Sequence, residues 1–339
     1  MRRSRIALLL VMSLLPLAGC RQSHAGSAIG PPSPNGPEVA RLRGVMETVR
    51  PFYLPHEPSA WDLVFPEHGQ TFQEYLAVNP NVPRDRRRIL YVRQLGDLTA
   101  AQRHILEITA EYLEQFYGLP ARIAPTLPLD HVPAGARRRN RFLGSEQIQT
   151  GYLLDLLKRA LPDDAFAEIG LTASDLYPDE KMNFVFGQST LRDRVGVWSL
   201  CWLGEPDQSE AEFRTTLART LKVASHETGH MFSIPHCTKY NCIMNGALSL
   251  DEVDFHPFDA CPECMAKICW ATRSDPRERY QRLASFFSRQ PGMAAARASL
   301  ARRRDALALD KPGRSPKKEP ADLGGGTLAG GQVPIHANL

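Results

Sequence analysis

The chain has almost no excess of charge of either sign. Lys and Arg number 41 against 37 Asp and Glu in 339 residues, a formal net charge of +4. That near balance excludes the basic footprint expected of a nucleic-acid binder, so no nucleic acid is expected as a partner. The local clusters Arg86–Arg88 and Arg137–Arg139 read as solvated faces or loops. Long hydrophobic runs are missing too. Ile6–Leu17 is an apolar stretch of twelve residues, too short for a permanent membrane span. No internal repeat is visible, which excludes a solenoid or propeller.

What is present is concentrated in one stretch, His226-Glu-Thr-Gly-His230-Met-Phe-Ser-Ile-Pro-His236. On a helix, His226 and His230 stand four residues apart and project from one face. Glu227 lies one step round, where it reaches a water near a metal without ligating that metal. His236 supplies a third nitrogen if the chain turns back after residue 232. Three protein ligands leave one tetrahedral position open, the signature of a catalytic rather than a structural zinc.

A second set follows at once: Cys237, Cys242, Cys261 and Cys264. Two short cysteine pairs suit a closed structural zinc. In an exported chain the alternative is disulfides. Cys201 and Cys269 are left over, as buried apolar residues or one further disulfide.

Taken with the histidines, the order His-Cys-x4-Cys-x-Met and a later Cys-x2-Cys resembles the archaemetzincins, zinc metallopeptidases of the metzincin clan. The resemblance is densest over residues 182–270 and includes Met182-Asn-Phe-Val-Phe-Gly187 and Ser249-Leu-Asp-Glu-Val-Asp254. It implies two zinc ions per chain, one on His226, His230 and His236, and one on Cys237, Cys242, Cys261 and Cys264. It makes Glu227 the general base and Met244 the Met-turn residue under the metal. It also implies peptide substrates and aminopeptidase-type cleavage. Family members usually carry Gly where this chain has Ser233, at the left-handed end of the active-site helix. A non-glycine residue there costs roughly 1 kcal/mol.

Leu17-Ala18-Gly19-Cys20 resembles a bacterial lipobox. The implication is cleavage before Cys20, a lipid on its sulfur and a tether to a membrane of the cell envelope. Arg21 in place of Asp favours the outer membrane of a Gram-negative cell, facing the periplasm. Loss of residues 1–19 removes three arginines and no acids, leaving a net charge of about +1.

The expected organisation is a signal peptide over 1–19, a Pro/Gly/Ser-rich linker over 20–45 and an N-terminal extension over 46–84. A peptidase domain over 85–290 and a basic, then Gly-rich, disordered tail over 291–339 complete it. Within the domain, strands are expected from Ile89 to Val92, at Ile123, and at 166–171, 183–187 and 195–201. Helices are expected after the Thr99/Gln102 capping box up to Gly118, from Ser145 to Ala160, and after Ser209. Alternating strands and helices give an α/β fold with a mostly parallel sheet. The metzincin resemblance adds five twisted strands, with Asn183–Gly187 as the antiparallel edge over the zinc cleft. Tyr240 and His256 read as ordinary packing or loop residues. The competing functional readings are a zinc-held scaffold lipoprotein with a degenerate site, supported by Ser233, and a disulfide-stapled envelope protein that binds no metal.

Overall fold

A computed structural model describes residues 32–142 and 144–309. The signal segment 1–19, the candidate lipidation site Cys20 and residues from 310 onward lie outside the described residues. Two single 3-10 turns aside, the elements in chain order are α1 (Pro37–Val49), α2 (Ala60–Val64), α3 (Phe72–Ala77), β1 (Ile89–Leu95), α4 (Ala100–Tyr117) and β2 (Ala121–Leu127). There follow β3 (Arg137–Arg139), β4 (Glu146–Gln149), α5 (Thr150–Ala160), β5 (Ala165–Thr172), β6 (Asp175–Tyr177), β7 (Gly187–Ser189) and β8 (Val195–Ser199). The chain ends in α6 (Glu210–Met231), α7 (Leu250–Phe255), α8 (Pro262–Thr272), α9 (Pro276–Ser288) and α10 (Ala294–Leu309).

The main sheet has the order β2-β1-β5-β8-β7. The first four strands run parallel, and β7 pairs antiparallel with β8 at one edge. Every residue of the central strand β5 is buried, as expected of a parallel strand covered on both faces. Its one charge, Glu168, is paired with Arg93 of β1. A second small sheet has the order β3-β4-β6.

Helices α4 and α6 start where their sequence signals say. Thr99 and Gln102 cap α4 reciprocally, and Gly118 ends it in the left-handed region at φ 66°. Ser209 accepts from the Glu212 N–H to open α6. Leu217, Leu221 and Ala224 form the buried stripe of α6, and the Tyr117 hydroxyl donates to Ser225 O at 2.6 Å. Among the described residues, no helix is long and apolar enough to cross a membrane.

Several expectations shift. The segment expected as one helix from Ser145 begins as strand β4, and α5 starts only at Thr150. Tertiary pairing overrides local propensity here: β4 lies between β3 and β6, and Gln147 donates from its side chain to Asp175 at 2.9 Å. The edge strand lies at 187–189 rather than 183–187. Val185 N–H donates to Leu176 O, and Phe186 O accepts from Ser199 N–H, so residues 185 and 186 bridge two elements instead of continuing one ladder. The cluster at 137–139 is not simply solvated. Arg138 donates to Asp179 O, Met182 O and Asn183 O and stacks 3.9 Å over the Tyr177 ring, pinning the segment that leads to β7.

Residues 37–45, read as linker, are the first turns of α1. Pro37 sits at N1, and Val39, Leu42 and Val49 are buried. Residues 294–309, read as the start of a disordered tail, form α10, with Leu300, Arg303 and Leu307 buried. A charged network ties these outer helices to the domain. Asp259 accepts from Arg279 at 2.7 Å and from the Tyr53 hydroxyl at 2.6 Å, and Arg303 of α10 lies 3.5 Å away.

Candidate metal centre

Helix α6 delivers His226, Glu227 and His230. The turn that follows needs a left-handed residue, and Ser233 takes it at φ 65°. Its hydroxyl accepts from Asn81 N–H at 3.0 Å and donates to Leu191 O at 2.8 Å. Two local hydrogen bonds thus accompany the backbone conformation that glycine would adopt more cheaply. The Phe232 ring stacks on Tyr117 at 4.9 Å, and Phe232 O accepts from the Tyr75 hydroxyl at 3.0 Å, so the helix end is held.

The turn brings His236 back to the other two histidines. Ring centroids of His226, His230 and His236 lie 4.6, 5.2 and 4.9 Å apart. His226 Nδ1 is 2.8 Å from Ile243 O, and His230 Nδ1 is 2.8 Å from Ile234 O. A carbonyl can only accept, so both Nδ1 atoms carry the proton. Burial holds both imidazoles neutral, with His230 pushed down to about 3. Their Nε2 atoms are therefore bare, yet they face each other at 3.0 Å. Two lone pairs at that distance call for a cation between them. His236 Nδ1 lies 2.8 and 3.0 Å from the Glu67 carboxylate oxygens. One nitrogen from each ring falls within 4.8 Å of the others, so the donor set fits a metal such as zinc.

Glu227 is buried beside this cluster. Its Oε2 has no hydrogen-bond partner among the described residues. Burial pushes the carboxyl up to about 8, with the Ser189 hydroxyl acting in the opposite sense. The side chain lies against Gly187 of the edge strand, where an added Cβ would come within 2.6 Å of Glu227 Oε1. A glycine at the start of β7 is what lets the carboxylate sit there.

Met244 is fully buried and packs its thioether against Gly229, on the turn between His226 and His230. The loop around it binds both donor sets together. Cys237 N–H donates to Met244 O at 2.7 Å, and Asn245 Nδ2 donates to Cys237 O at 2.6 Å. Cys237, Cys242, Cys261 and Cys264 are buried free thiols, each with its sulfur within 4.8 Å of the others. Backbone N–H groups of Met244 and Cys261 point at Cys242 Sγ, at 3.4 and 3.2 Å. Four sulfurs, amide donors and no open face suit a structural zinc. Cys201 is a half-buried free thiol, and Cys269 a buried one with its sulfur 3.8 Å from Met265 Sδ.

A cavity of about 830 Å³ opens in front of the histidines, walled by Phe184, Phe186 and Gly187 on one side and by Trp61, Phe65 and Glu67 on another. The last three come from the N-terminal extension, and no sequence signal tied Glu67 to the site. Lys222 and His256 also line the cavity. Lys222 donates to Val253 O and Asp254 O at 3.0 and 2.7 Å, and burial lowers it to about 8. His256, expected as an ordinary loop residue, is buried and pushed down to about 4 by that burial. Tyr240 packs edge-on to Tyr53 at 6.4 Å.

Comparison with known proteins places the sequence in a family. The sequence model of peptidase family M54 matches residues 147–269. Archaemetzincin-2 of Homo sapiens is 30% identical over 260 residues, covering 67% of this chain and 72% of that protein. Archaemetzincin-1 of Homo sapiens is 30% identical over 255 residues, covering 66% of this chain and 51% of that protein. The crystal structure of archaemetzincin from Methanopyrus kandleri is 28% identical, with a TM-score of 0.47, and covers 57% of this chain and 99% of that one. The chain belongs to the archaemetzincins, and it is a zinc metallopeptidase of that family.

Proposed function

We propose that the chain hydrolyses peptide bonds with Glu227 as general base, and that it carries two zinc ions. His226, His230 and His236 would hold the catalytic ion, and Cys237, Cys242, Cys261 and Cys264 the structural one. A catalytic zinc supplies Lewis acidity towards a carbonyl and lowers the pKa of water. The observation that carries the reading is the buried, unpartnered Oε2 of Glu227 beside three converging imidazoles. A carboxylate so placed accepts a proton from water and returns it to the leaving amine. The free edge of β7 offers a peptide backbone an antiparallel partner next to that carboxylate. Trp61, Phe65, Phe184 and Phe186 give the cavity an apolar lining suited to a bulky hydrophobic side chain.

Aminopeptidase-type cleavage is the specificity we favour, on the family resemblance. A peptide library with free and acetylated N-termini, read by mass spectrometry, decides it: cleavage confined to free N-termini supports the reading, and internal cuts refute it. The scaffold alternative drew on Ser233, and that support weakens because Ser233 adopts the left-handed turn. We further propose that a lipid on Cys20 tethers the enzyme to the cell envelope. Cys20→Ser should move it from the membrane to the soluble fraction, and unchanged fractionation would refute the tether.

A further inference from the structure

The three imidazoles are not oriented alike. His226 and His230 each give Nδ1–H to a backbone carbonyl, Ile243 O and Ile234 O. His236 instead turns Nδ1 to a side chain 169 residues upstream, with both Glu67 oxygens within 3.0 Å. A carboxylate accepts from Nδ1–H, which leaves Nε2 bare, and one nitrogen of His236 lies within 4.8 Å of one nitrogen on each of the other two rings.

The segment carrying Glu67 is built into the domain. Ser59 and Asp62 cap α2 reciprocally, and Asp62 also pairs with His56 at 2.8 Å. His56 N–H donates to Lys239 O at 3.1 Å, and Trp61 N–H donates to Glu252 Oε1 at 3.2 Å. The Trp61 ring lies edge-on to His236 at 4.7 Å and covers Gly246, where a side chain would collide with it. His236 is thus held between an aromatic edge and a carboxylate, both supplied by the N-terminal extension.

We propose that Glu67 is a positioning residue for the third metal ligand, fixing the tautomer and ring orientation of His236. The inference rests on reading His226, His230 and His236 as the catalytic metal centre. It gives the N-terminal extension a part in the enzyme's site. Glu67 acts through His236 and takes no part in proton transfer.

The test measures metal affinity at each site of the full chain by chelator competition with zinc, and follows the ligand-field absorption of cobalt. Wild type, Glu67→Gln and Glu67→Ala are compared. Glu67→Ala should weaken the histidine site by roughly 10–100-fold. Glu67→Gln keeps an acceptor oxygen and should fall between the two. The cysteine site should be unchanged in both, which doubles as a control for folding. If Glu67→Ala does not fold, the Glu67→Gln comparison decides alone. Wild-type affinity at the histidine site in every folded variant would overturn the proposal. A raised KM confined to peptides with a free N-terminus, at unaltered metal affinity, would also overturn it, since Glu67 would then be holding substrate. A wild-type protein that loads metal only on its cysteines would instead refute the catalytic centre itself.

Discussion

The turn at Ser233 gives a quantitative prediction because two effects of opposite sign meet at one residue. A non-glycine residue at φ 65° costs roughly 1 kcal/mol relative to glycine. Against this, the hydroxyl makes two hydrogen bonds, to Asn81 N–H and Leu191 O. Leu191 O retains a second donor, the Asn81 side chain at 3.2 Å, so its loss is small. Asn81 N–H has no such reserve and becomes an orphaned donor. Removing the hydroxyl should therefore cost about 2 kcal/mol. Ser233→Ala keeps the strained backbone and loses the hydroxyl, for a net loss of about 2 kcal/mol. Ser233→Gly loses the same bonds but relieves the strain, for a net loss of about 1 kcal/mol. In a domain of this size each 1 kcal/mol shifts Tm by about 3 °C. The expected order is wild type, then Gly about 3 °C lower, then Ala about 6 °C lower, all at one fixed zinc concentration. A glycine variant about 3 °C more stable than wild type would show that the hydroxyl contributes nothing. An alanine variant above glycine would refute the left-handed turn.

Three further outcomes are expected. Glu227→Gln should keep its metal and lose at least about 100-fold in peptide hydrolysis; wild-type turnover would remove Glu227 as the base. Asp259→Ala should destabilise by about 3–5 kcal/mol in denaturant unfolding, because Arg279 and Arg303 remain buried without their counter-charge; a change below 1 kcal/mol would refute the network. Lys222 is lowered from 10.5 to about 8, so the folded state sheds its proton first. The cost of burying its charge is fully present below pH 8, and stability recovers as pH rises from about 8 to 10.5, by about 3 kcal/mol. Lys222→Met should lack that rise, and parallel pH curves for the two proteins would contradict the account.

The sequence made the donor residues legible because they are local. His226 to His236 span one helix end and its turn, and the cysteines follow in two short pairs. Capping residues such as Thr99 and Ser209 marked helix starts, because a cap acts within three residues of itself. What stayed hidden depends on distant packing. Glu67 and Trp61 look like any acidic or aromatic loop residue until the extension folds over His236. The strand at Glu146–Gln149 reads as helix because its partners β3 and β6 lie elsewhere in the chain. Helix α1 sits behind a proline-rich lead, and α10 buries Arg303, whose charge argues for solvent until Asp259 is placed beside it. Edge strand β7 is only three residues long and gives no alternation to detect.

Metal stoichiometry of the purified chain and its ligand variants decides whether the histidine centre exists. Two zinc ions per chain are expected, one lost in His226→Ala with the cysteine set intact. A wild-type protein holding no metal, or one whose zinc content is indifferent to His226 and His230, would contradict this expectation.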